Sequence, residues 1–286
     1  MRDDFAIFIC THGRPDKQLT LETLMRTGYT GKWFLVVDDT DATIQQYIDN
    51  FGSDKIIIFD KNYYINSDRF DNGDNKLHAK CILYAKRAVE DIAKSFNLRY
   101  FVIADDDITN LVMRVPLNDK LRRIPIENLD NILECHLQIL SDNVTAIGFG
   151  NVVHYFGGVN TFSQKNLNKR ILPYQFIIRN ANVDVNWLSW FAEDDVTEYQ
   201  SSMIGGIWLI SLYVMLEIKP VGDIEVTGGM VDTYKESSNR YELNFNAVKY
   251  CPERLLLKYA IKTGKFELKR HPEICFPKII NARYKK

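Results

Sequence analysis

The stretch Tyr100-Phe101-Val102-Ile103-Ala104-Asp105-Asp106-Asp107 holds the reading of the whole chain. Its first five residues form an unbroken apolar run, the pattern of a strand covered on both faces, and the run ends in carboxylates. Successive carboxylates at a strand end repel one another unless a cation or several hydrogen-bond donors compensate. A hard divalent ion does this well, because Mg2+ or Mn2+ prefers oxygen ligands and shares its shell among carboxylates, waters and substrate phosphates. Alternate strand residues point the same way, so Asp105 and Asp107 form the natural ligand pair. The competing reading is a solvated loop in which one Asp caps a helix starting at Ile108.

Upstream, the same strand-then-polar rhythm repeats. Phe5 to Cys10 is a short β-prone run that enters Thr11-His12-Gly13-Arg14-Pro15, and Gln18 to Met25 has the spacing of a helix. Trp33 to Val37 is a second buried strand, stopping in Asp38-Asp39. A helical stretch through Tyr47 and Ile48 leads to a third strand, Lys55 to Phe59. A polar loop is expected over Asn62 to Asn75, then an amphipathic helix from Leu77 to Phe96. This alternation predicts an α/β fold with a parallel sheet and crossover helices. Ligands of such sheets gather at the carboxyl ends of the strands, where Thr11 to Arg14, Asp38 to Asp39 and Asp105 to Asp107 converge.

Downstream the pattern is mixed. A helix is expected around Leu129 to Leu140, with strands around Ala146 to Phe149 and Gln175 to Ile178, followed by an acidic segment, Phe191-Ala192-Glu193-Asp194-Asp195. The longest apolar run, Met203 to Ile218, is shorter than the ~20 residues a bilayer requires and reads as core. The amino-terminal residues lack the pattern of a secretory signal, so the cytoplasm is the expected compartment. Neither a repeat nor a clear linker divides the 286 residues, and one domain is expected, its first part at 1–115 and its second at 116–286.

Charge excludes a whole-surface nucleic-acid binder, since 36 Lys and Arg face 37 Asp and Glu. The basic residues are nevertheless uneven. Arg254 to Lys286 holds ten of them against two acids, a local basic face or simply a solvated terminus. Cys10, Cys81, Cys135, Cys251 and Cys275 have no zinc or thioredoxin spacing, so reduced thiols are expected.

The polar clusters suit a nucleotide diphosphate. Thr11 offers a hydroxyl, Gly13 a flexible turn and Arg14 a bidentate phosphate contact. Asp38 or Asp39 can accept from a nucleobase imide or a ribose hydroxyl. Each taken singly is also an ordinary turn or cap.

In order and content these parts resemble the GT-A glycosyltransferases: strand then Thr-x-Gly-Arg-Pro, strand then Asp, a helix bearing Lys76, His78 and Lys80, then strand then Asp-x-Asp. Within that fold the chain is similar to the bacteriophage TET-associated glycosyltransferases, on IFICTHGRPDKQLTLETL at 7–24 as its opening run, VIADDDI at 102–108 and GGMVDTYKESSNRYELNF at 228–245. That resemblance implies a mostly parallel mixed sheet flanked by helices, in which a Rossmann-like nucleotide-sugar half merges with an acceptor half. It implies transfer from a UDP-sugar to hydroxymethylated pyrimidines in double-stranded phage DNA, in the host cytoplasm. It also implies Mn2+ or Mg2+ on Asp105 and Asp107, with a carboxy-terminal histidine, His271 or its rival His154, completing the shell. Thr11, Arg14, Asp38, Asp39, Lys80, Asp105 and Asp106 then line the nucleotide-sugar site, with Lys235 and Arg240 of a glycine-led loop closing over the diphosphate. Asp194 and Asp195 are the candidates for the base that takes the acceptor proton. A basic end from Arg254 would meet phosphates, and Trp187, Trp190 or Tyr155 a base.

Other readings stay open: a glycan or small-molecule acceptor, a Mg2+-dependent nucleotidyl- or phosphotransferase, and a non-catalytic binding module. The loop after the first strand lacks a P-loop pattern, and no Gly-Thr follows Asp105-Asp106-Asp107, which weighs against familiar phosphotransferases. The sugar, the stereochemical outcome and the oligomeric state are not readable.

Overall fold

The computed structural model describes residues 1–67, 81–151, 175–190, 192–218, 250, 255–260 and 265–270. Nine strands make one sheet in the order β3-β2-β1-β4-β8-β7-β9-β5-β6. The parallel part comprises β1 (Phe5–Cys10), β2 (Lys32–Asp38), β3 (Ile56–Phe59) and β4 (Tyr100–Asp105). Beyond β4 the sheet is mixed. Antiparallel β8 (Phe176–Asn180) follows, then β7 (Val144–Asn151), β9 (Ile207–Ile218), β5 (Ile108–Leu117) and β6 (Lys120–Pro125), with β7 and β9 parallel to each other. A separate antiparallel pair, β10 (Leu255–Ala260) and β11 (Lys265–Arg270), lies in the basic carboxy-terminal stretch.

Helices cover both faces, which is why the first strands read as continuous apolar runs. Phe5, Ile7 and Ile9 of β1 pack on one side with Leu21 and Leu24 of α1 (Leu19–Arg26), Tyr47 of α2 (Ile44–Phe51) and Leu129, Leu133 and Leu137 of α5 (Leu129–Leu137). Ala6, Phe8 and Cys10 point the other way, onto Leu83, Tyr84, Ala88 and Val89 of α4 (Leu83–Ser95). β4 alternates in step, with Val102 and Ala104 on the first side and Phe101 and Ile103 on the second.

One expectation needs correction, and the competing reading of the aspartates falls away. Within the expected polar loop, Lys61–Asn66 forms a short helix, α3, because Asp60 caps it by accepting from the Tyr63 amide and Tyr64 buries its ring against Phe59. Residue 108 opens β5 and not a helix, so none of the three aspartates is a helix cap. Positions 115 and 116, where the two parts of the expected single domain meet, lie within β5, which pairs with β9. Of the apolar run Met203 to Ile218, Ile207–Ile218 forms strand β9, and no described helix is long and apolar enough to cross a membrane.

Candidate active site

Past the ends of β1 and β4 the polar residues are sorted by the partners they meet. Thr11 follows Ile9 onto the α2 side, where Asp106 also emerges. The Thr11 hydroxyl donates to Asp106 Oδ2 at 2.7 Å, lies 3.0 Å from the Tyr47 hydroxyl and accepts from Gln18 Nε2 at 3.0 Å. Arg14 is built onto the same hub. Its backbone N–H donates to the Tyr47 hydroxyl at 2.8 Å, and its Nη1 meets Asp106 Oδ1 at 2.7 Å. Burial raises the Asp106 carboxyl, while the Arg14 charge and the hydrogen bonds of Thr11 and Arg14 oppose that rise.

The loop is therefore pinned and not flexible as the sequence led us to expect. Gly13 has φ +67°, and its N–H donates to Asp41 Oδ2 at 2.6 Å. An added Cβ would meet nothing within 4 Å, so the backbone conformation is what calls for glycine here. Thr11 is saturated by protein partners and acts by placing Asp106 and Arg14. Arg14 Nε is buried without a hydrogen-bond partner among the described residues, which leaves an unused guanidinium donor at this edge of the sheet.

At the end of β2, Asp38 is buried and its carboxylate is heavily engaged. Oδ2 lies 2.8 Å from His12 Nδ1, while Oδ1 accepts from the Thr40 N–H at 3.2 Å and the Thr40 hydroxyl, and stands 3.2 Å from Lys61 Nζ. Burial alone would raise this carboxyl, but His12, Thr40 and Lys61 outweigh it and hold it well below the usual range. The hydrogen bond to Asp38 raises the His12 imidazole above its ordinary value. Asp39 is exposed and accepts from the Lys61 N–H at 3.0 Å. Asp38 thus orients His12 and Lys61, and Asp39 is the more open carboxylate.

On the α4 side the strand end becomes strongly acidic. Asp105 continues the face of Phe101 and Ile103, and its N–H is held by Gln175 O at 3.0 Å. Opposite stands α6 (Glu193–Met203), which begins with Glu193, Asp194 and Asp195. Its preceding residue, Ala192, has φ +53°, a conformation costly for a residue with a Cβ. Lys86 of α4 pairs with the first turn of α6, with Nζ 2.7 Å from Glu193 Oε1 and 2.9 Å from Asp194 Oδ1. Burial lowers the Lys86 ammonium, yet Asp194, Glu193 and Asp105 outweigh it and raise it above its ordinary value. Burial and then the Asp194 charge push Glu193 up to about 7 against the pull of Lys86. Asp105 is raised by burial, with Lys86 opposing and Asp107, Asp194 and Glu193 adding. Burial and the Asp106 charge push Asp107 up to about 6, and its Oδ1 has no hydrogen-bond partner among the described residues.

One ammonium thus faces three carboxylates, Asp105, Glu193 and Asp194, and Asp107 adds its negative charge beside Asp105. A divalent cation beside Asp105 and Asp107 fits this charge deficit and the unused Asp107 oxygen. Among the described residues no three His, Cys, Asp or Glu side chains converge as a complete metal shell. Lys80, Lys235, Arg240, His154 and His271 lie outside the described residues, as do Lys76, His78 and Tyr155. Sequence reasoning did not single out Lys86, Gln18, Asp41 or Tyr47. Lys86 sits in a helix whose pattern assigns charges to solvent, and nothing in the sequence marks it as buried.

The model of the family described as TET-Associated Glycosyltransferase matches residues 5–216, from β1 into β9. The chain belongs to the TET-associated glycosyltransferase family. The matched span contains Arg14, Lys86, Asp105, Asp107 and Asp194, so the carboxylate rim is part of a glycosyltransferase. No curated protein sequence matches the chain. Among solved structures, it is similar to glucosyl-3-phosphoglycerate synthase from Mycobacterium tuberculosis in complex with Mn2+ and uridine-diphosphate-glucose. That likeness has 9% identity and a TM-score of 0.46, over 94% of this chain and 86% of that one. S. aureus TarS is similar at 13% identity and a TM-score of 0.39, over 76% of this chain and 37% of that one.

Proposed function

We propose that this glycosyltransferase moves a sugar from a UDP-sugar to a hydroxyl on 5-hydroxymethylcytosine in double-stranded phage DNA. The observation that carries the donor side is the pairing of Asp105 and Asp107 at the carboxyl end of β4, on the sheet edge that also holds Arg14, His12 and Asp39. Asp105 and Asp107 would hold Mn2+ or Mg2+, with His271 as a third ligand. The ion supplies charge neutralisation for the leaving diphosphate. Arg14, fixed by Asp106 with one donor unused, adds a positive charge for the same phosphates. Asp39 takes a ribose or base donor, and Lys80, Lys235 and Arg240 complete the nucleotide-sugar site.

Asp194 or Asp195, at the start of α6, accepts the proton of the attacking hydroxyl. The acceptor oxygen forms the new bond to the anomeric carbon, and the bond from that carbon to the phosphate oxygen breaks with its electron pair leaving on UDP. Support for a DNA acceptor comes from the family description, which places these enzymes beside TET oxygenation chemistry, and from the basic stretch beyond Arg254.

The test is incubation of the full chain with Mn2+, a panel of UDP-sugars, and duplex DNA with or without hydroxymethylcytosine, followed by mass analysis of digested nucleosides. A hexose or pentose mass gain on hydroxymethylcytosine alone is expected. Release of UDP without any gain on DNA would redirect the acceptor to a glycan or small molecule. Absence of UDP release with every donor would refute the donor reading.

A further inference from the structure

We infer that Lys86 is a positioning residue for transfer: its ammonium holds the first turn of α6 against the end of β4 and so sets the base carboxylate at the reacting rim. The inference rests on the reading of Asp194 as the base.

The geometry is unusual for a lysine. Its side chain is only 2% exposed, and the ammonium lies between Glu193 Oε1 and Asp194 Oδ1, with the Trp187 ring 4.8 Å away. Lysine is almost never buried without a partner, and a buried charge is stable only when paired and hydrogen-bonded. Here two carboxylates from adjacent residues of one element converge on a single ammonium from another. One ammonium balances one of the two charges, so the second carboxylate is an electrostatic cost in this sheltered site.

The placement explains the excess. Glu193 and Asp194 begin α6 directly after Ala192, whose left-handed backbone turns the chain sharply into the helix. Glu193 and Asp194 are 14% and 18% exposed, so they are sheltered yet reachable. Lys86 ties both to α4, the helix that packs on the same face as Asp105, and its charge couples to Asp105 as well. Without Lys86 the carboxylates of α6 and β4 repel one another, and α6 loses the two ion pairs that tie Glu193 and Asp194 to α4. The donor-binding loop after β1 lies on the other face, fastened through Thr11, Tyr47 and Asp106. Loss of Lys86 should therefore leave the diphosphate site in place and misplace the base.

The experiment compares full-length wild type, Lys86→Met, Lys86→Arg and Asp194→Asn, using the UDP-sugar that gives the fastest wild-type UDP release, with water as acceptor if DNA is not accepted. Calorimetry measures UDP affinity in the presence of Mn2+, and UDP release gives kcat. For Lys86→Met the expected result is UDP affinity within about threefold of wild type and kcat lower by about a hundredfold or more, the scale of a lost general base. Lys86→Arg keeps the charge and should retain the larger share of kcat, which also guards against a Met variant that fails to fold. A Lys86→Met kcat within threefold of wild type overturns the inference. So does a kcat loss matched by an equal loss of UDP affinity, the mark of a merely structural lysine. Full turnover in Asp194→Asn would refute the base reading itself, whereas loss there with Lys86→Met active refutes Lys86 alone.

Discussion

Replacing Arg179 with Met tests the brace behind the acidic rim. Arg179 of β8 is 0% exposed, and its guanidinium is bound on all sides. Nε lies 3.0 Å from Glu90 Oε1 and Nη2 lies 3.3 Å from Glu90 Oε2. Nη2 also donates to Val183 O at 2.9 Å, and Nη1 donates to Thr145 O. Glu90 in turn accepts from Trp187 Nε1 at 3.1 Å, and Trp187 carries its ring over Lys86. Removing one partner of a buried ion pair costs about 3–5 kcal/mol, because the other charge stays buried alone. The Thr145 and Val183 carbonyls lose a donor too, so a loss of about 4 kcal/mol is expected, a large share of the ~5–15 kcal/mol typical of a domain. Equilibrium urea unfolding measures it. In a Glu90→Gln background, where the uncompensated carboxylate is gone, the same Arg179→Met change should cost about 2 kcal/mol less. A loss below about 1 kcal/mol, or equal losses in both backgrounds, would refute the view that the pair's mutual charge holds this segment.

Asp107→Ala should abolish metal-dependent UDP release while leaving the metal-free protein as stable as wild type or about 1 kcal/mol more so, because it removes a desolvated carboxylate with an unused oxygen; thermal melting beside the activity assay checks both halves. Thr11→Val keeps the side-chain shape but takes a hydrogen bond each from Asp106, Tyr47 and Gln18, and should cost about 1–3 kcal/mol in urea. His12→Ala should show a pH-dependent deficit of less than about 1 kcal/mol, since His12 is half exposed. The raised imidazole means that the pair with Asp38 contributes fully below about pH 6.5 and fades as pH rises through the folded-state value. Unfolding curves of both proteins at about pH 6 and about pH 9 should therefore converge at the higher pH.

The fold was legible where burial is two-sided. FAIFIC, WFLVV and YFVIA can only be strands covered on both faces, and their parallel order follows from the helices between them. Beyond β4 the β5–β6 hairpin is local, but the pairings of β4 with β8, β7 with β9 and β9 with β5 join segments distant in sequence, which local periodicity does not encode. Asp105, Asp106, Asp107 and Arg14 were legible as a polar cluster after apolar strands. Their division of labour was not, because it depends on which face each side chain leaves. Lys86 was hidden for the converse reason: a charged residue in an amphipathic helix is read as solvated unless its partners, here more than a hundred positions away, are known.

That division of labour is open to a direct test, because adjacent aspartates in one loop should respond in opposite ways. Asp106 faces the Thr11 hub and holds Arg14 at 2.7 Å, so Asp106→Asn breaks a mostly buried ion pair and should cost about 3 kcal/mol of stability. Its effect on turnover should come through donor affinity, as Arg14 loses its anchor: KM for the UDP-sugar rises while kcat changes little. Asp107→Asn leaves that hub intact, so stability should hold while kcat collapses, since the amide cannot supply an anionic ligand. The contrast follows from the partners each side chain has: Asp106 is bound by Thr11 and Arg14, whereas Asp107 Oδ1 has no hydrogen-bond partner among the described residues. If Asp106→Asn lowers kcat as steeply as Asp107→Asn with no loss of stability, both carboxylates serve the same ion and this division is wrong.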